Sequence, residues 1–302
     1  MCFQELSLKT WFIKSMTYSD LEFFEGEVVE YVTEVLDAVK DKSFVDYVLL
    51  LARAGYQVET EGTFLSPYVL GSRLEIYQDK TREQFLVDYL NNYVSLLKDG
   101  IFMTNDYKEY DLNIQMMIYA QIWESHQFLK ILKRIGGILT GKPYEWKISF
   151  EYVNEKGKVK PFPKVKLMDE HIIADLKKGN PRFGKLVESL YDSQLRNDFA
   201  HASYYISVED NAIMSLDSER YAVKKKMDLF DWEQTFIYSV LLSYHLPKII
   251  RDRRNSFTKD YPEIKFVEID WPSYKVPGNI LKTKICPQES EFGVEFIFKQ
   301  NL

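Results

Sequence analysis

Cysteine is nearly absent: Cys2 and Cys286 are the only two among 302 residues, and they lie near opposite ends. No disulfide framework and no paired-cysteine metal motif can be drawn from them. Histidine is also sparse, with four residues, so few side chains titrate near neutrality. No apolar run approaches the ~20 residues needed to cross a bilayer. Glu5, Lys9 and Lys14 interrupt the apolar stretches at the start, which argues against a signal peptide. An excess of positive charge is also missing. The formal net charge is −6, which is wrong for a general nucleic-acid coat, so any RNA contact must use a local basic surface. These absences point to a cytoplasmic protein that does not engage membranes.

What is present is core-forming material. Apolar residues make up 46% of the chain and aromatics 15%, with 21 Tyr and 20 Phe, a composition incompatible with disorder. The length suffices for a substantial core in two lobes. Asp20 is the expected N-cap of a helix to about Lys40, with Leu21, Phe24, Val28, Val32 and Val35 at helical spacing. A second helix is expected over Asp46 to Ala54, stopped at Gly55, and a third from Thr81 to Gly100. The apolar pattern from Tyr110 to Leu139 reads as one long helix, ended by Gly141-Lys142-Pro143.

Tyr144 to Val153 alternates like a strand and turns at Asn154 to Gly157. A short helix over Asp169 to Lys178 follows. Asn180-Pro181 then caps a helix from about Arg182 to Ser203, whose stripe is Val187, Tyr191, Leu195, Phe199 and Ala202. Tyr204 to Val208 and Ala212 to Leu216 flank a compact hairpin turn. Asp228 or Asp231 caps a last helix to about Arg254, and Ile264 to Ile269 and Glu291 to Phe298 suggest β-structure in the tail.

The densest chemistry lies in Leu195-Arg196-Asn197-Asp198-Phe199-Ala200-His201, at the end of the expected motif helix. Arginine matches phosphate oxygens with a planar, permanently charged fork, and histidine can give or take a proton near pH 7. Those are the groups that RNA cleavage by an internal 2′-hydroxyl requires. Positions i and i+5 are ~140° apart on a straight helix, so Arg196 and His201 do not share a face, whereas Asn197 and His201 at i and i+4 do. Tyr204 would follow on that side if the helix continued. Either Arg196 reaches around, or two chains build the site. A purely structural role is the rival: Arg196 in an ion pair with Glu124 or Asp192, and His201 as a helix-ending residue favoured by the macrodipole.

The segment Glu188 to Tyr205, with Arg196-x4-His201 at its centre, resembles the HEPN superfamily, in particular a bacterial branch associated with toxin–antitoxin and phage-defence systems. The likeness covers roughly the middle and later half of the chain. It implies a mainly α protein: a HEPN-like helical bundle over 106–256 with small β-hairpin insertions, an N-terminal helical lobe over 1–105 and a β-containing tail over 257–302. It further implies a metal-independent endoribonuclease with no cofactor and a composite site across a homodimer. In that site Arg196 binds the scissile phosphate, Asn197 orients His201, and Glu124 supports Arg196. Catalytically inactive members of the superfamily give the alternative, a module that binds protein or RNA. An antitoxin or regulatory protein is the expected partner. Some related toxins carry a tyrosine two residues after the histidine, where an antitoxin modifies them; Ser203 stands there in this chain, so that regulation is not carried over.

Between Glu155 and Lys185 nine basic residues outnumber Glu155, Asp169, Glu170 and Asp175, and Lys177, Lys178, Arg182 and Lys185 are candidate RNA contacts. Other signals carry less. Gly136 to Lys142 matches most of a phosphate loop, but Pro143 replaces the required Ser/Thr and the order of elements is reversed. His171 and Asp175 lie one turn apart without a third metal ligand. His126 and His245 read as ordinary packing or surface residues.

Overall fold

The computed structural model describes residues 16–57, 66–71, 84–95, 105–153, 155, 157–207, 209–217, 222–273, 276, 278–291 and 293–299. It is mainly helical, with small antiparallel sheets. Helix α1 spans Tyr18–Lys42 and α2 Phe44–Leu51. The cap of α1 is Thr17 rather than Asp20. Asp20 sits three residues in and completes a capping box, its carboxylate accepting from the Thr17 N–H at 2.9 Å. Ser43 caps α2, which begins at Phe44, two residues before the expected start. Helix α3 covers 84–95; the rest of the expected Thr81 to Gly100 helix lies outside the described residues.

Two long helices expected from periodicity are each broken. The stretch from Tyr110 to Leu139 is α4 (Asn105–Glu124) and α5 (His126–Leu139), which meet at Ser125. Ser125 leaves the helical region at ψ 107°, and its hydroxyl accepts the Phe128 N–H at 3.3 Å. The motif helix is likewise α8 (Pro181–Leu190) and α9 (Ser193–His201). At that break Asp192 Oδ1 accepts from the N–H groups of Gln194 and Leu195, both at 3.0 Å. The apolar phase runs through both breaks, and so hides the cap residues from a search by period.

Between these pairs lie β3 (Glu151–Val153), β4 (Val159–Pro161), the single turn α6 (Lys164–Lys166), a π-helical segment Leu167–Ile173 and α7 (Ala174–Gly179). The expected strand from Tyr144 thus shrinks to three residues, and the expected Asp169 helix is half π-helix. Helix α8 crosses α7 at Gly184, where an added Cβ would lie 2.4 Å from the backbone nitrogen of Lys177. The chain then forms β5 (Tyr204–Ser207), β6 (Ala212–Asp217) and β7 (Ala222–Asp228), an antiparallel sheet whose third strand the sequence did not announce. Helix α10 (Leu229–Asn255) is capped by Asp228, and α11 (Phe257–Asp260) follows. The tail is a sheet ordered β10-β9-β8: β8 (Val267–Pro272), the unforeseen central β9 (Ile280–Ser290) and β10 (Gly293–Phe298). A two-residue ribbon pairs β1 (Gly55–Tyr56) with β2 (Tyr68–Val69).

Helix α10 is the hub, packing against α1, α2, α4 and α8. Trp232, Phe236, Val240, Leu242 and Leu246 are fully buried along it. Each such side chain contributes roughly 1.5–3 kcal/mol by leaving water. Trp232 stacks edge-on to Tyr119 of α4 and Phe199 of α9, at 5.2 and 5.1 Å between ring centroids, which places α9 against the core.

Tyr119 does more than fill space. Its buried hydroxyl donates to the Leu190 carbonyl and accepts from the Asp192 N–H, each at 2.9 Å, so it occupies the gap between α8 and α9. Burial holds the phenol well above its ordinary pKa despite the Asp192 N–H. Tyr119→Phe would strand the Leu190 carbonyl and the Asp192 N–H without replacing their partner. The expected cost is about 2 kcal/mol, read as a lower urea midpoint at unchanged slope; an unchanged midpoint would contradict this role.

Candidate functional site

Helix α9 is short, and its inner face is fixed by Leu195, Asp198 and Phe199. Leu195 is 1% exposed, and Phe199 packs on Tyr119, Trp232 and Tyr204. Asp198, in the middle of the motif, also points inward. Its carboxylate accepts from Gln194 Nε2 at 2.8 Å and from the Ser215 hydroxyl of β6, tying α9 to the sheet. No periodic signal marks an aspartate as a core residue, and the sequence reading missed it.

With that face buried, Arg196 and His201 fall on opposite flanks, as their spacing requires. The Arg196 side chain is only 13% exposed and lies along the end of α4. Its Nη1 pairs with Glu124 Oε1, and its Nη2 donates to Asn197 Oδ1. Glu124 is the last residue of α4, and its other oxygen accepts from Lys164 Nζ of α6 at 2.9 Å. One carboxylate therefore clamps two cations brought by separate elements. Asp192, the other expected partner of Arg196, pairs with Lys225 of β7 instead.

His201 is the last residue of α9 and exposed, and its side chain makes no hydrogen bond among the described residues. Ala202 turns left-handed at φ 52°, and the Ser203 N–H returns to the Asp198 carbonyl at 2.8 Å. The helix therefore stops before Tyr204, which lies in β5 and donates to Asn113 Oδ1 of α4 at 2.5 Å. Tyr204 does not continue the Asn197–His201 side, and Asn197 directs its carbonyl oxygen to Arg196 rather than to the imidazole.

Electrostatics at Glu124 are a balance. Partial burial would raise its pKa, but the Lys164 hydrogen bond and the charges of Lys164 and Arg196 outweigh this and hold it below its ordinary 4.5. Burial pushes the neighbouring Tyr191 phenol up to about 12 in spite of Arg196, so it stays neutral. Among the described residues, the Tyr191 hydroxyl and Arg196 Nε are buried donors with no acceptor. His126, first residue of α5, borders the same cluster across the Ser125 corner. Its exposed ring lies 4.8 Å from Phe150, centroid to centroid.

The candidate RNA contacts divide. Lys177 pairs with Glu188 at 2.8 Å, and Arg182 reaches α1, where Glu30 and Glu34 each hold it at 2.7 Å. Lys178 and Lys185 are exposed. Lys164, not among those four, is the basic residue brought to Arg196. Gly141 at φ +80° ends α5, so the glycine-rich run is a helix stop. Asp175 is taken by Lys142 at 2.5 Å, and among the described residues no three His, Cys, Asp or Glu side chains gather as a metal-binding group. His245 is buried in α10, with Nε2 3.0 Å from Glu25. Among the described residues no helix is long and apolar enough to cross a membrane.

Comparison with family models, with curated proteins and with solved structures gives no match. A largely buried arginine braced by a carboxylate, with a second cation beside it, has the chemistry to hold an anionic group.

The Glu124 clamp has a pH signature. A carboxylate with a depressed folded-state pKa stabilises the fold above its unfolded value, and that stabilisation is lost as pH falls through the folded one. The stability gap between wild type and Glu124→Gln should be full near pH 7 and close below about pH 4. Chemical denaturation at a series of pH values measures it; a gap independent of pH would show that the clamp contributes nothing through charge.

Proposed function

We propose that this chain is a HEPN-like endoribonuclease that cleaves RNA by attack of the internal 2′-hydroxyl, leaving a 2′,3′-cyclic phosphate and a 5′-hydroxyl. The observation that carries the reading is the arrangement of α9. Arg196 is braced by Glu124 on one flank, while His201 stands free and solvent-facing at the helix end. A phosphate at Arg196 meets a histidine of that kind when a second copy presents its own α9, so the active form is a homodimer. Arg196 stabilises the phosphorane, and His201 transfers a proton. Exposed Lys178 and Lys185 guide the RNA backbone. Such an activity, held by an antitoxin or regulatory partner, suits a cytoplasmic toxin–antitoxin or phage-defence role. The engagement of Arg196 by Glu124 and Asn197 favours one second reading, a non-catalytic HEPN-like module that binds RNA or protein.

Arg196→Lys separates the two. Lysine keeps the charge but loses the planar fork, so the variant should bind RNA nearly as wild type yet cleave it ~10²-fold or more slowly. Single-turnover cleavage of labelled RNA in EDTA, with melting temperature on the same preparation, measures both. A stable variant with the wild-type cleavage rate would remove Arg196 from the chemistry.

A further inference from the structure

The motif supplies one histidine, yet the fold sets a different one within the field of Glu124 and Lys164, the pair that flanks Arg196 in the same chain. Glu124 closes α4 and grips Arg196 of α9 and Lys164 of α6; His126 begins α5 two residues later. The Ser125 corner between them is buried, and its hydroxyl caps α5. The imidazole lies against Phe150, and the Phe150 carbonyl accepts from the Phe162 N–H at 2.7 Å, two residues before Lys164. The same backbone bridge therefore positions the His126 ring and the lysine that completes the clamp. His201, on the opposite flank of α9, cannot enter this cluster in its own protomer.

We propose that His126 is the proton-accepting residue of the Arg196 site, on the same protomer as Arg196 and opposite the His201 contributed by a second copy. This rests on the ribonuclease reading. In the step it implies, a neutral His126 imidazole takes the proton of the 2′-hydroxyl as O2′ bonds to phosphorus. The phosphorane charge falls on Arg196 and Lys164. The P–O5′ bond then breaks, and the departing oxygen takes its proton from the second copy's histidine. The groups facing His126 agree with the basic role. Partial burial and the cations Lys164 and Lys130 lower its pKa below 6.5 against the opposing Glu124, so the free imidazole is neutral at pH 7. A basic residue needs that form before the substrate binds.

The test uses the full chain with isotopically labelled histidine and uridine 3′-monophosphate as probe, the His126 signal being assigned with His126→Gln. Binding of the probe should move the titration midpoint of His126 upward, because a phosphate dianion beside an imidazole favours its charged form, and should leave buried His245 unmoved. His126→Gln should cleave RNA ~10²–10⁴-fold more slowly, with the acid limb of the pH–rate profile lost and the melting temperature retained. A His126 midpoint indifferent to the nucleotide would overturn the assignment even if the protein proves an active nuclease, as would wild-type cleavage by the glutamine variant. A responsive His126 in a chain that cleaves no RNA would instead refute the ribonuclease reading and leave His126 within the phosphate site.

Discussion

One hydroxyl holds the candidate site in its geometry. Tyr119 reaches from α4 into the gap between α8 and α9, donating to the last carbonyl of one helix and accepting from the backbone that starts the other. Without that bridge a buried helix break would leave polar backbone groups unsatisfied. With it, α9 can change direction and lay Arg196 against the end of α4. The aromatic cluster of Tyr119, Phe199 and Trp232 then fixes the roll of α9, and Asp198 anchored to Ser215 fixes it again from the sheet side.

The second break has the reciprocal effect. At Ser125 the chain turns from α4 into α5, so Glu124 ends one helix where its carboxylate meets both Arg196 and Lys164. Had the helix run straight, as its apolar period suggests, residues 124 to 126 would belong to one continuous cylinder. Clamping two cations with one carboxylate keeps Arg196 pre-oriented, and mobile arginines lose more freedom on binding a phosphate. The charge of the site is thus local and positive on a chain that is negative overall.

Much of this was legible beforehand. The helical character, the Asn180-Pro181 start, the helix stop at Gly141 and the β5–β6 hairpin can all be read from residue spacing, whereas the pairing of Arg196 with Glu124 or Asp192 stood only as the structural alternative. The two helix breaks cannot. Val187, Tyr191 and Leu195 keep the same stripe across the Asp192 break, so periodicity carries no mark of it, and only the Ser and Asp caps do. Lys164 was visible as one basic residue among nine; its place beside Arg196 depends on where the β3–β4 hairpin returns the chain. Asp198 was missed, because no spacing tells an inward-facing aspartate from an exposed one until tertiary packing shows which way it faces. His126 is exposed and lies against Phe150, as a packing or surface residue would.

The central claim is that Arg196 and His201 act from different copies of the chain, and mixing two dead variants tests it most directly. Arg196→Ala and His201→Ala should each be inactive alone. If the site is shared across a symmetric dimer, re-equilibrating them in equal amounts makes half of the dimers mixed. Each mixed dimer then holds one intact site of two, restoring about one quarter of wild-type cleavage. Mixtures that stay inactive although mixed dimers form would contradict the account.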